Sequence, residues 1–238
     1  MNGDAAEKLK KSLKEPACMA FSGGLDSSFL AFLSKGMDIG GIVVGFRGSH
    51  DIMWAPQAAA LIDFPIKTII LSENEVISAA RTVSRILDTE DLIVISFELP
   101  LFFVAESAEY DYIITGQGAD EIFGGYKRYE NMNKDDLSKE MAKDLENLRE
   151  HGIERDRRIV SHFGKELITP YLSKGFLDFI LSFDPAERRG AGRKGLLRKI
   201  AVESGLPKEL AMKPKKAAQY GSGIMKILKK HREEILKQ

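Results

Sequence analysis

The residues of this chain that are best suited to chemistry form the segment SGGLDSS at residues 22–28. Its glycines let the backbone approach an anion closely and adopt positive φ, and its serine hydroxyls are hydrogen-bond donors. The carboxylate of Asp26 can hold a magnesium ion against phosphate groups. An ordinary turn between a strand and a helix also uses glycine and serine, but the complete pattern at such a junction indicates a site for the phosphates of a nucleotide.

A strand before this segment and a helix after it would position these groups. Residues 17–21 form a short apolar run that is typical of a buried strand, and residues 29–33 indicate the start of a helix. The first N–H groups of a helix have no partner within the helix, so they would point at a bound phosphate. No Gly-Lys-Ser or Gly-Lys-Thr follows at the Walker spacing, so this phosphate cradle is of a different type.

A second segment of similar character, GQGADEIFGGY, occupies residues 116–126. Gly116 and Gly118 permit another tight turn after a strand, which is predicted at residues 112–115. Asp120 and Glu121 place carboxylates at the start of the next helix, where they could bind magnesium or a substrate amine. Ligands of parallel sheets bind at the carboxyl ends of the strands, so the two segments are predicted to share one crevice.

Strand-like and helix-like segments alternate over residues 1–130, which predicts an α/β fold with a doubly wound parallel sheet. The predicted strands are residues 17–21, 39–46, 66–71 and 112–115. The predicted helices are residues 53–62, residues 72–87 behind a capping box, and two pieces within residues 92–105 that are divided at Pro100. We predict that residues 131–238 form a helical part of the same single domain, packed on the ligand-binding side of the sheet.

Composition narrows the class of protein. The 238 residues have 44% hydrophobic and 29% charged content, and no apolar run approaches the roughly 20 residues of a membrane span. The lysine-rich first 15 residues do not have the pattern of a signal peptide, and one cysteine excludes an internal disulfide, so we predict a cytoplasmic protein. Residues 188–238 contain 15 Lys and Arg but 4 Asp and Glu. Without interleaved aromatic residues, this basic segment favours a triphosphate over nucleic acid as its partner.

Both glycine segments resemble those of a known family. SGGLDSS resembles the loop of the PP-loop ATP pyrophosphatases, and residues 116–126 resemble the SG(E/Q)GADE(L/I)FGGY block in the synthetase domain of glutamine-type asparagine synthetases. Further similar blocks follow in the family's order at residues 155–157, 164–172, 194–199, 206–207 and 213–223. The resemblance therefore covers most of the chain, and it implies a stand-alone synthetase without the family's glutaminase domain.

The resemblance implies ATP as substrate, Mg²⁺ as cofactor, and a set of site residues. The phosphate-binding and turn residues would be Ser22, Gly23, Gly24, Asp26, Ser27, Ser28, Gly116, Gln117, Gly118 and Asp120. Asp26 and Asp120 would hold the magnesium–pyrophosphate unit. Lys194 and Lys215 would stabilise charge on the α-phosphate and the leaving pyrophosphate, and Glu166 would take a proton from the attacking amine.

The reaction implied is adenylation of a carboxylate, most simply the side chain of aspartate, followed by attack of ammonia to give asparagine and AMP. Three departures from the family pattern, at Ile168, Ser173 and Ala218, leave another carboxylate open as the acceptor. Nitrogen would come from free ammonia or a separate glutamine amidotransferase chain, and a homo-oligomer is compatible with the sequence. A regulatory module that binds ATP or AMP without turnover, and a tRNA-thiolating enzyme of the same superfamily, are the competing interpretations.

Overall fold

The computed structural model describes residues 2–213 and 221–236, which are built around one five-stranded sheet. All four strand pairs are parallel, and the strand order is β3-β2-β1-β4-β5. The strands are β1 Ala17–Ala20, β2 Ile39–Gly45, β3 Ile66–Ile70, β4 Tyr112–Ile114 and β5 Glu166–Ile168. The prediction of a doubly wound parallel sheet is confirmed.

Helices surround this sheet on both faces. In chain order they are α1 Asn2–Lys11, α2 Leu25–Leu33, α3 His50–Ala60, α4 Glu73–Leu87, α5 Leu92–Ser107, α6 Ala119–Phe123, α7 Lys134–Asn147, α8 Ile153–His162, α9 Lys174–Ile180, α10 Pro185–Arg189, α11 Gly195–Glu203, α12 Lys208–Met212, α13 Ile224–Lys230 and α14 Arg232–Leu236. A π-helical turn, Leu148–Gly152, joins α7 to α8. No helix in the described part of the chain combines the length and the apolar character of a bilayer span.

Two hydrophobic cores cover the two faces of the sheet. Side chains of α1, α2, α3, α9, α11 and α12 form one core, and side chains of α4, α5, α8, α13 and α14 form the other. The helices after residue 131 are thus divided between the faces, whereas the sequence predicted that they pack on one side. A pattern of apolar residues shows that a helix buries one face, but it does not show against which layer.

Two further elements differ from the prediction. α5 continues through Pro100 as a single helix, because its largely buried side chains pack in the second core and outweigh the lost backbone hydrogen bond. β5 adds a strand from the half predicted as helical. Its three residues pair with β4 through the register Tyr112↔Glu166 and Ile114↔Ile168, and a segment this short has no readable periodicity.

Candidate active site

Two glycine turns leave the sheet side by side. β1 runs into residues 21–24 before α2, and β4 runs into residues 115–118 before α6. β1 and β4 are neighbours, and the strand order reverses between them, which is where parallel sheets open a ligand crevice. A methyl group built on Gly116 would lie 3.1 Å from the Cβ atom of Asp26, so the two turns are in contact.

An aromatic side chain closes the first turn from α3. Gly23 has φ +70°, and a Cβ atom there would lie 2.8 Å from Cδ1 of Trp54. The Nε1 atom of Trp54 donates a 2.8 Å hydrogen bond to the carbonyl oxygen of Gly23. Backbone conformation and close contact therefore both exclude a side chain at Gly23, and Trp54 holds the shape of the turn.

The amino end of α2 supplies hydrogen-bond donors to this turn. Gly24 precedes the helix without a side-chain cap, and the first helical hydrogen bond runs from Ser28 N to Gly24 O at 2.9 Å. The N–H groups of residues 25–27 consequently have no acceptor within the helix. The Oγ atoms of Ser22 and Ser27 lie 3.4 Å apart at the same end. Together these groups offer the donors that a phosphate group requires.

A buried lysine joins the two turns. The Nζ atom of Lys194 lies 2.8 and 2.7 Å from the carboxylate oxygens of Asp26, and 2.8 Å from Oδ1 of Asp120. The Lys194 side chain is 4% exposed, and the Asp26 and Asp120 side chains are 15% and 14% exposed. One positive charge thus faces two negative charges in a largely desolvated place, and both carboxylates converge on a single point.

The backbone at Lys194 has an uncommon conformation. Its φ of 57° and ψ of 31° are left-handed, which costs a non-glycine residue roughly 1–2 kcal/mol. Lys194 directly precedes α11, and its N–H donates a 3.2 Å hydrogen bond to the carbonyl oxygen of Phe123. A Cβ atom on Gly195 would lie 2.7 Å from the carbonyl oxygen of Arg189, so α10 and α11 approach closely here. Backbone strain of this kind clusters at functional sites.

Close packing fixes the cluster of Lys194, Asp26 and Asp120. The hydroxyl of Tyr171 donates a 3.1 Å hydrogen bond to the carbonyl oxygen of Asp26. Burial, and then the Asp26 charge, raise the pKa of Tyr171 well above its ordinary value, so it remains a neutral donor. A Cβ atom on Gly125 would lie 1.9 Å from Oδ1 of Asp120 and 2.4 Å from Cε of Lys194, which leaves no room on that side.

Comparison with known proteins assigns the chain to a family. The sequence model of the family described as asparagine synthase matches residues 5–134 and 129–238. The chain belongs to the asparagine synthase family. One relative is a Methanocaldococcus jannaschii protein that carries the name of a glutamine-hydrolysing asparagine synthetase. The two sequences are 32% identical over an alignment that covers 88% of this chain and 47% of the relative. The glutamine-hydrolysing asparagine synthetase of Triphysaria versicolor is 27% identical over 92% of this chain and 42% of its own length.

Other relatives match in part. Asparagine synthetase domain-containing protein 1 of Mus musculus is 36% identical over 49% of this chain and 20% of its own length. The chain spans about half the length, or less, of these relatives.

Most of the site residues predicted for this member of the asparagine synthase family lie together. The structure brings these residues to the two turns: Ser22, Gly23, Gly24, Asp26, Ser27, Ser28, Gly116, Gln117, Gly118, Asp120 and Lys194. Lys215 lies outside the described residues. Trp54 and Tyr171 were not predicted for the site, because nothing in the sequence pattern shows that α3 and the segment after β5 reach the first turn.

Glu166 does not lie with the other predicted residues. It begins β5 and is in register with Tyr112, the first residue of β4, so it lies at the amino edge of the sheet. Its side chain is 58% exposed and forms a 2.6 Å ion pair with Lys14. Asp26 and Asp120 follow the carboxyl ends of β1 and β4, at the opposite edge. A role for Glu166 in proton transfer at the cluster has no support in this geometry.

The cluster has the donor set of a magnesium–nucleotide site. Among the described residues no group of three or more His, Cys, Asp or Glu side chains forms a metal cage. Asp26 and Asp120 nevertheless place carboxylate oxygens within 2.8 Å of one cationic group. Mg²⁺ is commonly held by one or two carboxylates while substrate phosphates and waters complete its shell. The residues therefore fit a magnesium ion that arrives with a triphosphate.

Proposed function

We propose that this chain is an ATP-dependent amide-forming ligase that adenylates a carboxylate, most simply the aspartate side chain, and transfers ammonia to give asparagine and AMP. The observation that supports this most directly is the bridge from Lys194 to Asp26 and Asp120 between the two glycine turns. Membership of the asparagine synthase family supports the same class of reaction. The full activity, the substrates and the nitrogen source are part of the proposal.

The first glycine turn, Lys194 and the two aspartates would have separate roles in the adenylation step. The turn at residues 22–28 binds the triphosphate through backbone N–H groups and hydroxyls. A substrate carboxylate oxygen attacks the α-phosphorus, the bond to the β-phosphate oxygen breaks, and pyrophosphate leaves. In this proposal the Lys194 ammonium stabilises the negative charge that develops on the phosphates, and its side chain is largely sheltered from water. Magnesium held by Asp26 and Asp120 would supply further charge neutralisation on the leaving pyrophosphate.

The second half of the reaction forms the amide. Ammonia attacks the acyl carbon of the acyl-adenylate, loses a proton, and AMP leaves. The proposal assigns no side chain as the acceptor of that proton, because Glu166 lies at the other edge of the sheet. Free ammonia or a separate glutamine amidotransferase chain would supply the nitrogen.

A panel of carboxylates tests the proposed function. With Mg-ATP, aspartate and ammonia, we expect pyrophosphate release and AMP as the nucleotide product. The same assay with glutamine, with and without a separate amidotransferase, tests the nitrogen source. ADP and phosphate as the main products would contradict the proposed chemistry. Binding of ATP without turnover on any carboxylate would favour the regulatory module instead.

Two positions that differ from the family pattern favour testing other carboxylates besides aspartate. The family pattern has an arginine at the position of Ile168 and an aspartate at that of Ser173. Ile168 ends β5 at the edge of the crevice and is buried, and the Oγ atom of Ser173 is buried without a hydrogen-bond partner among the described residues. Neither side chain offers a charge to a substrate. An acceptor other than aspartate is therefore the second candidate, and the panel distinguishes the two.

Separate substitutions test the magnesium ligands. Asp26→Asn and Asp120→Asn should each weaken Mg-ATP binding by about tenfold or more, because each removes a carboxylate from the cation site while preserving shape. Calorimetry at several Mg²⁺ concentrations measures this. The matched control is Asp178→Asn on α9, an exposed aspartate paired with Lys174. Unchanged affinity and unchanged metal dependence in both site variants would contradict the assignment.

A further inference from the structure

The left-handed backbone of Lys194 needs support from contacts beyond the residue itself. Lys194 directly precedes α11 with φ 57° and ψ 31°, and its side chain makes no capping hydrogen bond to the helix. The residue at this position of a helix ordinarily has an extended backbone. An uncommon conformation of this kind persists only where the surrounding structure imposes it. The contacts that impose it are therefore part of what places the Lys194 ammonium.

The peptide group between Arg193 and Lys194 is held from both sides. Its N–H donates a 3.2 Å hydrogen bond to the carbonyl oxygen of Phe123, the last residue of α6. Its carbonyl oxygen accepts a 3.1 Å hydrogen bond from Nε of Arg198 on α11. The peptide group is planar, so its rotation would change φ of Lys194. The Arg198 side chain consequently acts on the torsion angle that is uncommon.

The guanidinium group of Arg198 is anchored at its far end. It donates hydrogen bonds to the carbonyl oxygen of Ala211 in α12 and, at 3.5 Å, to that of Lys213 directly after this helix. The last carbonyl groups of a helix have no partner within it, and arginine is a suitable donor to them. α12 packs in the same core as α2 and α11. Arg198 thus ties the segment before Lys194 to an element with its own place in the core.

The connection from α10 to α11 has little rigidity of its own. Gly190 and Gly192 both have positive φ, and glycine leaves the backbone free to adopt other conformations. The Arg193 side chain forms a 3.0 Å ion pair with Glu130, but the two side chains are 38% and 40% exposed. Exposed ion pairs contribute little to holding a geometry. The hydrogen bond from Arg198, which is half-buried, is therefore the stronger constraint on this connection.

We propose that Arg198 is a positioning residue, which holds Lys194 in its left-handed conformation and so keeps the ammonium between Asp26 and Asp120. The Lys194 ammonium lies within 2.8 Å of both carboxylates, and a changed φ at its own residue would carry it away from them. This inference rests on the proposed function for its effect on turnover. Its effect on the two carboxylates is independent of that function.

Thermal unfolding with and without Mg²⁺ tests the positioning role without any assay of activity. In Arg198→Met the ammonium should leave the carboxylates, so added Mg²⁺ should raise the melting temperature about 2–4 °C more than in the wild type. Lys194→Met, which lacks the ammonium, should show the same extra rise. The matched control is Arg157→Met on α8, where an exposed arginine pairs loosely with Glu154, and it should keep the wild-type response.

The opposite outcome of this measurement is distinct. A lower melting temperature of Arg198→Met that responds to Mg²⁺ as the wild type does would show that Arg198 supports the fold and does not place the ammonium. That result would overturn the proposal.

A double-mutant cycle tests whether Arg198 acts through Lys194. Arg198→Met should lower turnover by about tenfold to a hundredfold, the scale expected when a reacting group is misplaced. In the Lys194→Met background the same substitution should cost less than about threefold, because no ammonium is left to misplace. Losses that multiply in the double variant would show that the two residues act independently and would overturn the proposal.

Arg198→Lys separates the shape of the side chain from its charge, and it serves if Arg198→Met does not fold. Lysine keeps the positive charge but has no donor at the position of Nε, so its turnover and magnesium response should resemble those of Arg198→Met. Wild-type values in Arg198→Lys would contradict the proposal. The expected magnesium response without pyrophosphate release by the wild type on any carboxylate would support the positioning role and overturn the proposed function instead.

Discussion

Replacing Lys194 with methionine is expected to lower turnover by a factor on the order of a thousand, the upper range for the loss of one preorganised charge-stabilising donor. Methionine keeps much of the lysine stem but removes the ammonium that lies within 2.8 Å of both Asp26 and Asp120. The two carboxylates would then face each other in a largely buried place without the ammonium that lies between them. We therefore also expect a lower melting temperature for the ligand-free variant.

The response of the melting temperature to added Mg²⁺ tests whether the effect of the substitution arises at the cluster of Lys194, Asp26 and Asp120. Added Mg²⁺ should raise the melting temperature of Lys194→Met more than that of the wild type, because a divalent cation can replace the lost ammonium between the carboxylates. The matched control is Lys199→Met on α11, where the side chain is 59% exposed and pairs loosely with Glu203. Similar turnover in the two variants, or equal magnesium effects in variant and wild type, would contradict the role assigned to Lys194.

Gly125→Ala should reduce activity by a factor on the order of a hundred or more, although it adds only a single methyl group. That methyl group would lie 1.9 Å from Oδ1 of Asp120 and 2.4 Å from Cε of Lys194, so at least one of these side chains must leave its position. A misplacement of about 1 Å in a catalytic group is enough for a loss of this size. Gly125 does not have positive φ, so the effect is one of contact and not of backbone strain.

A second glycine provides the control for this substitution. A Cβ atom on Gly175 meets nothing within 4 Å, and Gly175 lies in α9, where alanine favours the helix by about 1 kcal/mol. Gly175→Ala should therefore keep full activity and gain slightly in melting temperature. Calorimetry of Mg-ATP binding and thermal unfolding of both variants give the comparison. Normal nucleotide binding by Gly125→Ala would show that the cluster is less tightly packed than the geometry indicates.

Local sequence patterns were sufficient for four of the five strands and for the first glycine turn. Each of the four predicted strands extends one residue beyond the structural one, at Phe21, Phe46, Leu71 and Thr115. Three of these four residues are buried, because the chain stays inside the molecule as it leaves the strand. The apolar character of a residue indicates that it is buried, but it does not indicate where the hydrogen bonds between neighbouring strands end. The start of α4 could be predicted because its capping box marks the first turn of the helix.

The remaining features depend on pairing between distant segments. The bridge from Lys194 to two aspartates joins residues 168 and 74 positions apart, and no local pattern contains that information. The misplaced expectation for Glu166 has a similar cause. A motif in the right order along the chain does not show at which end of a strand its residues lie, and here the strand register places Glu166 beside Tyr112.

The internal ion pair at the crevice has a consequence for how ligands associate with this chain. A metal ion that enters alone must displace the Lys194 ammonium, which is attached to the chain and needs another anion to pair with. A nucleoside triphosphate offers that anion, so the Lys194 ammonium can move to the phosphates while the metal ion binds the two carboxylates. Under the proposed function, the binding of metal and the binding of nucleotide would therefore be thermodynamically coupled, and each would strengthen the other by the same factor. The chain would accept the preformed complex and discriminate against either component by itself.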